Sequence, residues 1–230
     1  MRKHTERHLR PKIALRDVVI GLSDGLTVPF ALAAGVSVAI ASSKVVLTAG
    51  LAEIVAGAIS MGLGGYLAAR TDVESYMSEE RREYREVELV PHLERDEVRD
   101  IFKAYGLEGP DLERVVNHIV ADPDRWVDFM MKFELGLNRP QAGQAPISAL
   151  TIALSYAIGG AIPLVPYAFV PDVPRALSIS CVTTVAALFV FGYFKARLTR
   201  TPRWRGAFQT AAIGATAAAA AFGIARLVTG

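Results

Sequence analysis

The sequence predicts an all-α fold of five transmembrane helices, with a helical insert between the second and third. Three observations carry this. First, the 230 residues are 52% hydrophobic yet 21% charged, with mean hydropathy +0.31, so apolar and charged residues must be segregated along the chain. Second, apolar runs at 18–41, 45–69, 147–170, 176–194 and 207–228 are each of the length an α-helix needs to cross a bilayer. Third, Lys and Arg lie to one side. Arg2, Lys3, Arg7, Arg10, Lys12 and Arg16 precede the first run, and Lys195, Arg197, Arg200, Arg203 and Arg205 separate the fourth from the fifth. The opposite connections offer only Lys44 and Arg175. By the positive-inside bias the N-terminus, the insert and the 195–206 loop are cytosolic, and five spans send the C-terminus across.

The expected organisation is a basic cytosolic segment at 1–17, spans one and two within 18–70, a cytosolic helical metal-binding domain at 71–145, and spans three to five within 146–230. The basic start runs into a helix too long for a cleaved signal peptide and is expected to remain in the mature protein.

Span one places Asp24 roughly 12 Å inside the boundary marked by Arg16, too deep for a short side chain to reach bulk water. Pro29 has no N–H for the carbonyl of Gly25, which frees a backbone acceptor beside the carboxylate. Such a segment is tolerable in a membrane where its polar groups face protein or a water-filled path. Asp24 is therefore either part of a path or a structural carboxylate paired with another helix.

Span two carries Glu53 and Met61 among small residues. At 100° per residue Glu53, Gly57, Ser60, Met61 and Gly64 share about a quarter of the helix circumference. Ala52, Ala56, Ser60 and Gly64 form a small-xxx-small ladder that admits a close neighbour. Asp24 and Met61 lie at nearly one level, counted from the cytosolic side, and Glu53 lies roughly 12 Å farther on. Met61 taken alone reads equally well as a plain lipid or core contact.

In the insert, Thr71–Leu89 reads as a charged helix, broken at Pro91. A second helix spans 93–105 and stops at Gly106, and a third starts near Pro110 and runs to Val120. Asp122 as N-cap with Pro123 in the first turn opens a fourth, through Leu135. Aliphatic core residues are few, so the unit is expected to lean on a partner subunit or on metal.

Glu83 and Glu86 are three apart on one helix, and Glu94 and Glu97 are three apart on the next, so each pair shares a face. Across the Pro91 turn the four can converge as hard oxygen ligands, with Met130, Met131 and Glu134 adding thioether and carboxylate donors one helix later. The other reading is a solvated Glu/Arg surface, with Arg81, Arg82, Arg85 and Arg95 as partners, and a Met pair that only packs.

The later spans are plainer: Pro163 and Pro166 disturb the outer end of span three, and Ser178, Ser180, Cys181, Thr183 and Thr184 give span four a polar face. Span five is Ala-rich and suited to close packing. One cysteine excludes an internal disulfide or a cysteine metal cluster. His92 and His118 lack Glu-x-x-His spacing, so a ferritin-like di-iron oxidase is disfavoured. No phosphate loop, nucleophile elbow, dinucleotide fingerprint or nucleic-acid module occurs, and the chain is read as a non-enzyme with no catalytic residues or cofactor.

The motifs Asp24-Gly-Leu-Thr-Val-Pro-Phe-Ala-Leu32 and Gly57-Ala-Ile-Ser-Met-Gly-Leu-Gly-Gly65, with the Glu-rich insert, resemble the vacuolar iron transporter family over nearly the whole chain. The resemblance implies a homodimeric, proton-coupled exporter of ferrous iron and related divalent metals (Mn²⁺, Co²⁺, Zn²⁺) from the cytosol, with the pore between the first spans of two subunits. It assigns Asp24, Glu53 and Met61 to the transport path and Glu83, Glu86, Glu94, Glu97, Met130, Met131 and Glu134 to metal binding. The partners implied are metal ions, protons, the bilayer and a second copy, without nucleic acid. The expected location is the cell membrane in a prokaryote and the vacuolar membrane in a plant or fungus. A non-transporting membrane-anchored metal sensor or buffer, and a passive divalent metal channel, are the competing readings.

Overall fold

A computed structural model describes residues 12–141 and 143–229. The basic residues Arg2, Lys3, Arg7 and Arg10 lie outside the described residues, as does Gly230. Those described form eight helices and no strand: α1 (Lys12–Ala39), α2 (Ser43–Leu89), α3 (Pro91–Ala104), α4 (Gly109–Val120), α5 (Pro123–Phe133), α6 (Gln144–Phe169), α7 (Val173–Leu198) and α8 (Arg203–Thr229). Five of them, α1, α2, α6, α7 and α8, are long and apolar enough to cross a membrane. The chain divides into two compact units, residues 1–66 with 145–230, and 67–144.

The prolines do not interrupt the spanning helices: α1 runs on through Pro29, and α6 through Pro163 and Pro166. The carbonyl of Pro163 accepts the buried Ser180 hydroxyl of α7 at 2.7 Å. Side-chain donors of this kind satisfy backbone acceptors inside a membrane helix. Span two and the first insert helix are one element, 47 residues and about 70 Å long. The change from apolar to charged composition near Arg70 alters what surrounds the helix, while its backbone hydrogen bonds continue unchanged.

Packing in the membrane unit relies on small residues. A Cβ added to Gly25 would lie 2.2 Å from the Tyr156 carbonyl oxygen, and one on Gly159 would lie 3.1 Å from the carbonyl of Leu22, so α1 and α6 cross backbone to backbone. On α7 and α8, Gly192 and Gly206 meet in the same manner. Ala33, Val46, Ile54, Leu164, Tyr167, Val173 and Ala176 form the largest apolar cluster of this unit.

The insert is punctuated as its turn residues dictate. The Asp122 carboxylate accepts the backbone N–H of Arg125 at 2.9 Å and caps α5. α3 begins at Pro91 itself and ends at the left-handed Gly106. Its core is Val98, Leu112, Val116, Trp126, Phe129 and Met130, and Phe129 stacks between Phe102 and Phe133. Aromatic rings and a thioether supply the volume that the scarcity of aliphatic residues leaves open.

Candidate functional site: carboxylates in two units

Gly160 of α6 lies against both Ile54 of α2 and Pro29 of α1, which fixes a common level for the three helices. Counting about 1.5 Å per residue from it, Asp24 lies about 7.5 Å and Met61 about 10 Å to one side, and Glu53 about 1.5 Å to the other. Asp24 is half-buried, as are Glu53 and Met61. Among the described residues Asp24 has no hydrogen-bond or ion-pair partner, so none of them supplies the pairing that a structural carboxylate requires.

Glu53 is held differently. The Tyr156 hydroxyl of α6 donates to Glu53 Oε1, and Glu53 Oε2 is buried without a partner. Gly57, one turn along α2, makes room for the phenol: a Cβ there would lie 2.5 Å from Tyr156 Cζ. Tyr156 thus holds Glu53 in place across two helices, and sequence reasoning missed it. The available signal was a phenol in mid-span, which has to find a partner when buried.

Asp17 was missed as well. It is 1% exposed and accepts the Ser148 hydroxyl of α6 at 2.5 Å, with Arg16 Nε at 3.3 Å. It lies seven residues before Asp24, hence on the same face of α1. Among the described residues the small-residue ladder of α2 is left uncovered: Ala52, Ala56, Ser60 and Gly64 are exposed, and a Cβ on Gly64 would meet nothing within 4 Å.

In the insert, one carboxylate oxygen each from Glu83, Glu86 and Glu94 lie within 4.8 Å of one another. Glu83 is 1% and Glu94 5% exposed, and each has a buried Oε2 without a hydrogen-bond partner. Arg82 is the cation at this cluster, 3.6 Å from Glu83 and 3.5 Å from Glu86, and it also pairs with Glu79 at 3.1 Å. Burial, then the neighbouring Glu97, Glu83, Glu86 and Glu134, pushes the Glu94 carboxyl up to about 7. Glu134 is likewise pushed up to about 7, by desolvation and then by Glu97 and Glu83. Glu97 and Glu134, themselves exposed, are thereby within electrostatic reach of the three convergent glutamates.

Met130 is fully buried in the core with Val98 and Trp126, and Met131 packs with Tyr76 and Val127. Buried carboxylates with unpartnered oxygens, crowded against like charges, suit a hard or borderline divalent cation, which would relieve both the repulsion and the unmet hydrogen-bonding capacity.

Residues 15–226 match the VIT family. The chain belongs to that family. Its VIT relatives include vacuolar iron transporter 2 of Oryza sativa subsp. japonica, 55% identical over 98% of this chain and 92% of the relative. Vacuolar iron transporter 1 of Arabidopsis thaliana is 52% identical over 98% and 90%. Protein CCC1 of Saccharomyces cerevisiae is 43% identical over 80% of this chain and 58% of its own length. The VIT match takes in both intramembrane carboxylates and the whole of the glutamate cluster.

Proposed function

We propose that this protein exports ferrous iron and chemically similar divalent metals from the cytosol in exchange for protons, as a homodimer whose first spans flank the path. The supporting observation is Asp24: an intramembrane carboxylate with no partner among the described residues, in a family whose relatives are named iron transporters. Asp24 and Met61, close to one level, supply an oxygen and a thioether, a combination that favours Fe²⁺ and later first-row ions over Mg²⁺ or Ca²⁺. Glu53, with Oε2 open, is the next carboxylate along α2.

In this reading the insert gathers metal before it enters the membrane. Glu83, Glu86 and Glu94 form the primary ligand set, Glu97 and Glu134 extend it, and Met130 and Met131 add softer donors. The exposed small-residue face of α2 supports a close helix contact with a second copy. Twofold symmetry then repeats every site once. The Lys and Arg distribution supports a cytosolic N-terminus and insert, and relatives named for the vacuole support a vacuolar membrane in plants and fungi.

The experiment is flux of Fe²⁺ into proteoliposomes with and without a pH gradient. Uptake driven by an opposing proton gradient supports exchange. Uptake indifferent to the gradient identifies a channel, and binding without uptake identifies a sensor or buffer. Cysteine labelling at Gln141 and Thr229 tests topology: access from the same side refutes five spans.

A further inference from the structure

The turn between α7 and α8 concentrates positive charge without compensation. Arg197, Arg200, Arg203 and Arg205 are exposed and Lys195 partly so, and no acidic residue follows Asp172 in the sequence. Among the described residues none of the five has an acidic partner, whereas Arg82, Arg95 and Arg99 of the insert are all paired.

The backbone of this turn bears on why the charge is there. α7 ends in the same hydrogen-bond pattern as α3, with Thr201 N–H donating to the Ala196 carbonyl at 2.9 Å, as Leu107 N–H donates to that of Phe102 at 3.1 Å. α3 places Gly106 at the left-handed position, where a glycine is unstrained. α7 places Arg200 there, with φ 56°, the one non-glycine residue of positive φ among those described. The conformation disfavours a side chain, so its presence here calls for a role that the guanidinium supplies.

Beside it stands a fixed aromatic group. Trp204, 65% exposed, lies 5.5 Å from the Tyr193 ring and 6.1 Å from Phe189, which meets Phe208 edge-on at 5.1 Å. Indole and phenol rings at the end of two apolar spans belong at headgroup depth, and guanidinium groups bind phosphate in two-point geometry.

We propose that the α7–α8 turn is a binding surface for anionic phospholipid headgroups, with Arg197, Arg200, Arg203 and Arg205 engaging phosphate and Trp204 seated at the interface. Each basic residue is expected to add about fivefold to the preference for an anionic over a zwitterionic lipid. This surface does not depend on the metal or the direction of transport.

The test uses full-length protein carrying Trp126→Phe, which leaves Trp204 as the tryptophan, in vesicles of phosphatidylcholine mixed with brominated phosphatidylglycerol or brominated phosphatidylcholine. Quenching of Trp204 should favour the brominated anionic lipid at least threefold. It should lose that preference in the Arg197→Gln, Arg200→Gln, Arg203→Gln, Arg205→Gln variant. Arg200→Gly separates charge from fold: it should lower the preference while leaving thermal stability equal or higher, since glycine suits the turn. Phospholipid carried through purification of protein without the Trp126 change gives a second reading, in which the parent retains phosphatidylglycerol and the fourfold variant does not. Equal quenching by both lipids in the parent, or an undiminished preference in the fourfold variant, overturns the proposal. So does competition by 10 mM inorganic phosphate, which would assign the surface to a soluble anion.

Discussion

Carboxylates occur in both units of this molecule, and the two units treat them in opposite ways. Within the spans of the membrane unit they stand apart: Asp17 accepts a serine hydroxyl, Glu53 a tyrosine hydroxyl, and Asp24 nothing among the described residues. In the insert they are massed, three within 4.8 Å and two more within electrostatic reach, around one arginine. Where water is absent, a second like charge at close range has no screening and would leave a protonated, weakly ligating pair. Near water the same crowding is tolerable, and it yields several interchangeable donors. A solitary carboxylate makes a site that fails completely when it is lost, and a crowd of them makes a site that degrades by steps.

The largest difference should follow from Asp24→Ala. With no water to take the vacated position, metal flux is expected to fall by more than about a hundredfold, while metal bound by the insert stays within error of the parent. Normal flux in liposomes would place the path elsewhere. Met61→Ala should retain flux but narrow the difference between Fe²⁺ and Ca²⁺, since the thioether is the softer donor.

Protons should separate the units next. Glu94 and Glu134 are pushed up to about 7 in the folded chain, so an ion entering the insert at pH 6 displaces protons that at pH 8 have already left. Affinity for Co²⁺, measured by titration of full-length Asp24→Ala protein, should weaken up to about tenfold per pH unit for each proton displaced as pH falls through 7. The metal-free fold should respond in the opposite sense. A carboxyl raised from 4.5 binds its proton more tightly folded than unfolded, so the stability it lends is full at low pH and is lost as pH rises through about 7. A metal-free Tm that climbs between pH 6 and 8 would contradict this, and added metal should raise the Tm most at pH 8.

Replacing Glu83, Glu86, Glu94 and Glu97 together by Ala should have a moderate effect on transport. Metal bound at low concentration should fall, and flux at low metal should drop about fivefold, while flux at saturating metal stays close to the parent because water fills vacant coordination positions. Unchanged stoichiometry in this variant would remove the insert from metal binding.

What was legible in the sequence follows the range of the forces involved. Asp24 and Glu53 were conspicuous because an ionisable group in an apolar run violates a rule that needs no tertiary information. Asp122 with Pro123, and Gly106, announced helix ends through local backbone chemistry. The bond from Tyr156 to Glu53 depends on the register between α6 and α2, which periodicity within either helix does not contain. Asp17 was hidden by its neighbour Arg16, which reads as the edge of a span although the next carboxylate is 1% exposed. For Met130 and Met131 the ambiguity is chemical: core packing and metal binding both accept a thioether at helical spacing, and their burial among Val98, Trp126, Tyr76 and Val127 is a tertiary fact. The continuity of α2 past Arg70 was obscured because a change of solvent and a change of structure leave the same mark in composition.

The smallest effect bears most closely on how an isolated membrane carboxylate is held. Tyr156→Phe keeps the ring beside Gly57 and removes the donor to Glu53. Gly57→Ala keeps the donor but places a Cβ 2.5 Å from its ring, and a phenol tip can swing away where a backbone cannot. Both changes should therefore release Glu53 Oε1 with little loss of stability, and each should raise the metal concentration for half-maximal flux about threefold, at the low end of the net worth of a typical hydrogen bond. Gly25→Ala is the contrasting case. Its new Cβ meets the Tyr156 carbonyl at 2.2 Å, so α1 and α6 must separate, at about 1–3 kcal/mol of overpacking. If Tyr156 acts through Glu53, then Tyr156→Phe should add nothing in a Glu53→Ala background, where the hydroxyl has lost its acceptor. A full threefold effect in that background would show that the phenol serves the path by itself, and that Glu53 needs no second residue to hold it in place.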